Sequence, residues 1–363
     1  MKIAHIETYL VRLPFKTGAP TSSLGGRSWS TLDHVFVKVE TDNGLIGWGD
    51  GFGYGAAMAT KAALDHMIAP ALIGRDATQI ASISRELQRN NHLWGRYGVT
   101  MFAISGIDIA LWDLAGKAAN VPLVRLLGGA VRTDIPAYAS LFKYQDPDLV
   151  AERVEAALQE GYGYIKLHET GVAEVAAARE AAGDEVPIMI DTNCPWTPQE
   201  AREAALSFLE FDPYWLEEPI FPPEDYDSLA RLQQDVGIAI ASGENACTAF
   251  EFRKMFAAGA VSFAQPSVTK VGGVTELLKI QTLAETHGVA LMPHSPYFGA
   301  GFLATLHIAA AMPDTPLIER FYMELAASPY GDVIEAHDGR LRLPDGPGLG
   351  REPDLDVLRE YSG

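Results

Sequence analysis

Three carboxylates, Asp191, Glu217 and Glu244, stand 26 and 27 residues apart, each at the end of a short apolar stretch: "PIMIDTN", "YWLEEP" and "IAIASGEN". The series runs on in both directions. It begins at Lys166 and His168 in "YIKLH" and continues through Ser267 in "SFAQPS" and His294 in "VALMPHS" to Glu319 in "PLIER". From Lys166 to Glu319 the successive intervals are 25, 26, 27, 23, 27 and 25 residues, each about one strand-helix unit. Polar residues recurring at that interval describe a site assembled from the ends of several strands.

The residue types suggest the chemistry. Three carboxylates on one rim repel, and a hard divalent cation, most simply Mg²⁺, resolves this by taking oxygen ligands. Burying Glu217 behind Tyr214-Trp215-Leu216 is costly unless something positive compensates it, and the ion supplies that charge. Glu218, one residue on, faces the other way. Taken singly, each carboxylate reads as a surface cap on the following helix; taken together they read as metal ligands. Lys166 and His168 share one strand face. His168 lies nearer the strand end and so nearer a substrate, and Lys166 beside it lowers its pKa and keeps it available as a base. Alternatively, Lys166 pairs inside the barrel with a carboxylate such as Asp191. Lys270, in "SVTKVGG", either tunes the site or is solvated.

The elements that must position these residues are legible. From about residue 131, eight apolar strands, beginning with "IPAYAS", alternate with helix-like stretches such as "PDLVAERVEAALQEG" and "TPQEAREAALSFLE". That order describes a parallel β/α barrel, whose sites lie at the C-terminal strand ends. Before it, "VFVKVET", the turn "DNG" and "LIGWGD" form an antiparallel hairpin, and "MFAISGIDIALWDLAGKAA" carries the strongest helical apolar pattern. Residues 1–130 therefore read as an α+β unit, 131–325 as the barrel, and 326–363 as a turn-rich segment returning to the first unit.

Composition narrows the partners. The 363 residues carry a net charge of −19, which disfavours nucleic acid. The N-terminal stretch interrupts its apolar residues with His5, Glu7, Thr8 and Arg12, unlike a signal peptide, and no run approaches a membrane span. Two cysteines, Cys194 and Cys247, suit a reducing cytoplasm, where a homo-oligomer between dimer and octamer is expected.

Together "DNGLIGWGD", "SGIDIALWDLAGK", "IDTN", "WLEEP", "GEN", "KVGG" and "PDGPGLG" resemble the enolase superfamily, in its mandelate racemase and muconate lactonizing branch, over nearly the whole chain. The resemblance implies a modified (β/α)7β TIM-like barrel with an α+β capping domain. It implies one Mg²⁺ per subunit on Asp191, Glu217 and Glu244. A small-molecule carboxylate would bind that ion, lose its α-proton to a base and pass through an enediolate. Glu319 falls where racemase-like members place a carboxyl that donates to the substrate, for which it must be protonated.

Two positions depart from that pattern. His168 replaces the second Lys of a K-x-K, and Ser267 replaces the Asp that holds the seventh-strand His. Neither two-base arrangement is intact, and His294 lacks a carboxylate to hold its tautomer. The residues therefore favour dehydration or cycloisomerisation of a sugar acid or its lactone. In that scheme His168 is the base, Lys166 tunes it and binds the carboxylate, and His294 is the acid or the opposite-face partner. The alternatives are a racemase or epimerase of another carboxylic acid and a silent carboxylate-binding barrel. Around the rim, "KTGAPTSSLGGRSWSTLDH" (16–34) reads as a lid and "GFGYG" (51–55) as a second one. Arg27, Trp94, Arg96, Lys270 and Tyr297 are candidate substrate contacts, with Arg27 or Arg96 facing a second carboxylate or hydroxyls.

Overall fold

The structure is a computed structural model that describes residues 1–19, 23–24, 27–314 and 316–363, with only the backbone at 23, 24 and 27. Positions 20–22, 25 and 26 of the expected lid lie outside the described residues, as does the side chain of Arg27.

The N-terminal sheet is an antiparallel meander of β1 (Ile3–Lys16), β2 (Thr31–Thr41) and β3 (Ile46–Gly51). The "DNG" turn joins β2 to β3, and Gly44 takes the left-handed backbone that the turn needs (φ +83°). Helix α1 (Val99–Ala119) lies across this sheet at backbone distance. A Cβ on Gly49 would sit 2.0 Å from the Gly106 carbonyl oxygen, so the glycines of "LIGWGD" and "ISGID" are what allow the helix to dock. α1 corrects one expectation. By length and composition it is apolar enough to cross a bilayer, and 78% of that window is instead buried inside the protein.

The barrel comprises β4 (Asp134–Ser140), β5 (Ile165–Leu167), β6 (Ile188–Asp191), β7 (Trp215–Glu217), β8 (Ile240–Ser242), β9 (Phe263–Ala264), β10 (Ala290–Leu291) and β11 (Ile318–Phe321). They form one parallel curled sheet in the order β10-β9-β8-β7-β6-β5-β4-β11. Where β10 faces β11, the Leu317 N–H donates to Met292 Sδ at 3.2 Å and Ser295 Oγ donates to the Glu319 carbonyl at 3.4 Å. A helix follows each strand from β4 to β10, whereas the next element after β11 is a strand. There the chain returns to pair Glu324–Leu325 with β1. The helix starts are written locally: Asp146 caps Pro147–Gln159, and Thr197 with Glu200 forms a capping box on Pro198–Phe208.

Alternation within the strands sorts the side chains. Ile165, Leu167, Ile188, Ile190, Leu216 and Ile240 face the surrounding helices and join the main core. Tyr138, Met189, Trp215, Ala241, Met292 and Leu317 form a separate cluster that fills the barrel interior. Stepping two residues on from Met189, Trp215, Met292 and Leu317 reaches Asp191, Glu217, His294 and Glu319, which crown that interior stack. The last segment touches both units. Arg340–Arg342 pairs with β4, whereas the Gly363 N–H donates to the Leu10 carbonyl at 3.2 Å in β1.

Candidate active site

Lys166 lies at the centre, 1% exposed. Its Nζ is 2.7 Å from Glu319 Oε1, 2.9 Å from Glu217 Oε1 and 3.1 Å from Asp191 Oδ2. Burial by itself would depress the lysine, but Glu217, Glu319 and Asp191 outweigh it and hold its pKa well above the ordinary value. The second oxygen of Glu217 accepts from Trp215 Nε1 at 2.8 Å. A carboxylate can therefore end the "YWLEEP" strand because a lysine and an indole already hold it. Even so, burial and neighbouring Asp191 push the Glu217 carboxyl well up, the mark of a cluster short of positive charge. Glu218 turns elsewhere, accepting from Asn245 Nδ2 at 2.6 Å and Cys194 Sγ at 3.2 Å.

His168 shares Asp191 Oδ2 with Lys166, its Nε2 at 3.2 Å, while its Nδ1 lies 2.6 Å from the Leu141 carbonyl. Both ring nitrogens thus face atoms that only accept, which makes the ring an imidazolium. Lys166 was expected to lower the pKa of His168. Burial does pull it down, but Asp191 and the Leu141 carbonyl outweigh both burial and Lys166, and the pKa is raised. Glu319 also departs from expectation. Burial opposes its ionisation, yet Lys166 holds its pKa below the usual range, so it is a carboxylate and accepts from Ser140 Oγ at 2.8 Å. Its Oε2 is buried without a partner.

On the facing strands, His294 Nε2 is 2.8 Å from Glu244 Oε2. Burial opposes the Glu244 charge, but His294 and Lys270 bring its pKa down to about 2. A carboxylate accepts only, so Nε2 carries a proton. His294 Nδ1 lies 2.6 Å from Ser267 Oγ and 3.1 Å from Tyr297 Oη, and Tyr297 Oη donates to Ser267 Oγ at 2.5 Å. The missing aspartate is replaced by two hydroxyls that hold the same ring from the same side. His294 does not lack a tautomer anchor, contrary to expectation.

One oxygen each of Asp191, Glu217 and Glu244 lies within 4.8 Å of the others. Three hard donors converge, Asp191 and Glu244 are held ionised, and Lys166 is the permanent cation shared among Asp191, Glu217 and Glu319. That donor set fits a divalent cation. Such an ion at Asp191 would also remove the attraction that raises the pKa of His168.

Above these groups opens a cavity of about 700 Å³ lined by His168, Glu244, Lys270, His294 and Glu319. Trp29, Phe52, Tyr54, Phe142 and Phe321 form an aromatic wall. Trp29 links it, with ring centroids 5.4 Å from Tyr54 and 5.8 Å from Phe142. Of this wall only the loop 51–55 and the stretch around Trp29 were singled out from sequence. Phe142 and Phe321 were missed, since one lies just past β4 and the other ends β11, each as an ordinary apolar residue. Tyr297 supports His294 at 3% exposure and is no rim contact. Trp94 is 63% exposed and donates to Asn91, while Arg96 donates to Gln88 and stacks on Tyr97 and Phe250. Neither lines the cavity.

Residues 6–128 match the profile of the mandelate racemase / muconate lactonizing enzyme N-terminal domain, and 149–357 match the enolase C-terminal domain-like profile. The chain belongs to the enolase superfamily, in its mandelate racemase and muconate lactonizing branch. The enzyme is 33% identical to D-galactarolactone cycloisomerase of Agrobacterium fabrum over 99% of both chains. It is 32% identical to arabinonate dehydratase of Saccharolobus solfataricus over 93% of both. Among solved structures, L-talarate dehydratase of Polaromonas sp. JS666, complexed with Mg and L-glucarate, superposes with a TM-score of 0.84 at 29% identity. That match covers 100% of this chain and 97% of the other. Its relatives are dehydratases and cycloisomerases, and the enzyme is of the lyase or isomerase type.

Proposed function

We propose that the enzyme removes the α-proton of a sugar acid or sugar-acid lactone and expels the oxygen on the β-carbon. The result is dehydration when that oxygen is a hydroxyl and cycloisomerisation when it belongs to the lactone. The ion is Mg²⁺, one per subunit, held by Asp191, Glu217 and Glu244. Bound there, it supplies charge that draws the substrate carboxylate and stabilises the negative charge growing on it as the proton leaves. Cytoplasmic residence, a homo-oligomeric state and a division into cap (1–130), barrel (131–325) and returning tail (326–363) belong to the same reading.

The chain's own groups take distinct parts. The Leu141 carbonyl keeps a proton on Nδ1 of His168, so Nε2 is the nitrogen that accepts the α-proton once Asp191 is otherwise engaged. Lys166 stays charged beneath it, close enough to both Asp191 and Glu319 to bind a carboxylate oxygen arriving between them. His294 has its Nδ1 lone pair occupied by the Ser267 hydroxyl and presents N–H at Nε2. That polarity suits protonation of the leaving oxygen and not removal of a second proton. Racemisation needs competent bases on both faces of the α-carbon, so the observation that carries this reading is the different hold on the two Nδ1 atoms, a carbonyl that keeps a proton on that of His168 and a hydroxyl against that of His294.

The test is a library of acid sugars and their lactones incubated with Mg²⁺. Semicarbazide would trap 2-keto products, and NMR would report lactone opening. At least one member should yield the β-elimination product. Inversion at the α-carbon with no β-elimination would replace this reading with a racemase. A library with no product and no solvent deuterium in any member would leave a silent binding barrel.

A further inference from the structure

Lys270 follows β9 in the short helix Val268–Val271. The residue is 6% exposed, and its Nζ sits 4.6 Å from the centroid of the Phe52 ring. Among the described residues it makes no hydrogen bond and no ion pair. Glu244 feels its charge from beyond ion-pair distance, and the ring face stabilises it only in part, so the ammonium keeps room for a carboxylate in direct contact. The other lysines at the site are satisfied differently. Lys166 is enclosed by three carboxylates, and Lys143 stands exposed at the rim beside Thr170 Oγ1 at 3.5 Å. Of these three, Lys270 alone is buried with no ion pair in contact, and it lines the cavity.

Its place in the fold says which part of a ligand it meets. Phe52 belongs to the loop after β3, and its N–H donates to the Thr269 carbonyl at 3.3 Å, so Lys270 lies where cap meets barrel. Of the three carboxylates proposed to hold the ion, Asp191 and Glu217 lie deeper, on the crown of the interior stack. In the ring of strands β9 is four places from β5, which carries Lys166 and leads into His168. A ligand held by one carboxylate at the cluster and extending towards the cap therefore runs to Lys270 with its far end.

We propose that Lys270 is the counter-ion for a second, distal carboxylate, which makes the preferred substrates dicarboxylic sugar acids or lactones retaining a free carboxylate at the far end. This rests on the reading that the first carboxylate sits at the Asp191–Glu217–Glu244 cluster. Arg27 and Arg96 were the sequence-based candidates for this contact. Arg96 does not line the cavity and is committed to Gln88 and the rings of Tyr97 and Phe250, and the side chain of Arg27 lies outside the described residues.

The experiment compares a matched six-carbon pair, galactarate with two carboxylates and galactonate with one. Binding is measured by calorimetry on the Mg²⁺-loaded protein. A His168→Asn background stops turnover, with Lys, Arg or Met at position 270. Lys270 should give at least about tenfold tighter binding of galactarate, as expected for one charge-assisted contact. Lys270→Met should erase that preference, and Lys270→Arg should keep part of it. Equal affinity for the two acids with Lys at 270, a preference that survives Lys270→Met, or binding of neither acid would overturn the proposal. Turnover is scored separately with His168 restored. A lysine-dependent preference without β-elimination would leave the distal contact standing and remove the catalytic reading alone.

Discussion

Replacing Lys166 by Met removes one buried cation from among three carboxylates. Its Nζ lies 2.7 to 3.1 Å from Glu319, Glu217 and Asp191, each at most 1% exposed. Removing one partner of a buried ion pair leaves uncompensated charge and costs about 3–5 kcal/mol. The cost is largest without divalent ions, where Lys166 is the permanent cation in contact with the cluster. In a protein this size that corresponds to a fall of roughly 4–7 °C in melting temperature. It also depends on pH with a definite sign. Without the lysine the carboxylates hold protons in the folded state that they release on unfolding, so their folded pKa values lie above the unfolded ones. Their contribution is then fully present at low pH and is lost as pH rises, and the deficit of the variant should widen from pH 5 to pH 8. The assay is thermal unfolding of wild type and Lys166→Met in EDTA and in excess Mg²⁺ across that range. Mg²⁺ should raise the variant more than the wild type, because the ion restores the missing charge. An EDTA deficit that Mg²⁺ does not narrow, or one that shrinks as pH rises, would refute the reasoning.

Other outcomes follow from particular contacts. Glu217→Gln should lose at least about tenfold in Mg²⁺ affinity by calorimetry, together with Mg²⁺-dependent turnover; unchanged affinity would remove Glu217 from the ligand set. Ser267→Ala with Tyr297→Phe should lower kcat by about 10²-fold or more, with KM changed little, because His294 loses the partners that fix its proton on Nε2; a change confined to KM would count against the acid role. In α1, burial raises the Asp108 carboxyl to about 7 and leaves its Oδ2 without a partner. Since the folded pKa exceeds the unfolded one, stability is lost as pH rises from about 4 to about 7. Asp108→Asn should therefore flatten the stability profile there and gain up to about 4 kcal/mol at pH 8, read by denaturant unfolding.

Much of the site was legible because a barrel repeats. A polar residue every 23 to 27 positions marked the strand ends, and alternation within "IMID" and "WLE" told which side chain faced inward. The observed strands are shorter than the apolar runs. β8 stops at Ser242, β9 at Ala264 and β10 at Leu291, so Glu244, Ser267 and His294 stand on the loops just beyond. Loop positions let those side chains bend over the barrel mouth, and no periodicity encodes that bend. The charge states were less legible. Spacing placed Lys166 beside His168 but could not show that Asp191 touches both, and that contact sets the sign of the His168 shift. The aromatic wall was hidden for another reason. Trp29, Phe52, Tyr54, Phe142 and Phe321 come from both units and share no sequence pattern, so only the fold brings them together.

The central claim is that His168 removes an α-proton from a carboxylate held at the Asp191–Glu217–Glu244 cluster. Proton NMR of a turned-over acid sugar in D₂O, with Mg²⁺, measures it most directly. Wild type should consume the α-proton signal and place solvent deuterium in the product, and both His168→Asn and Glu217→Gln should leave that signal intact over the same period. Loss of the α-proton at an undiminished rate in either variant would contradict the account.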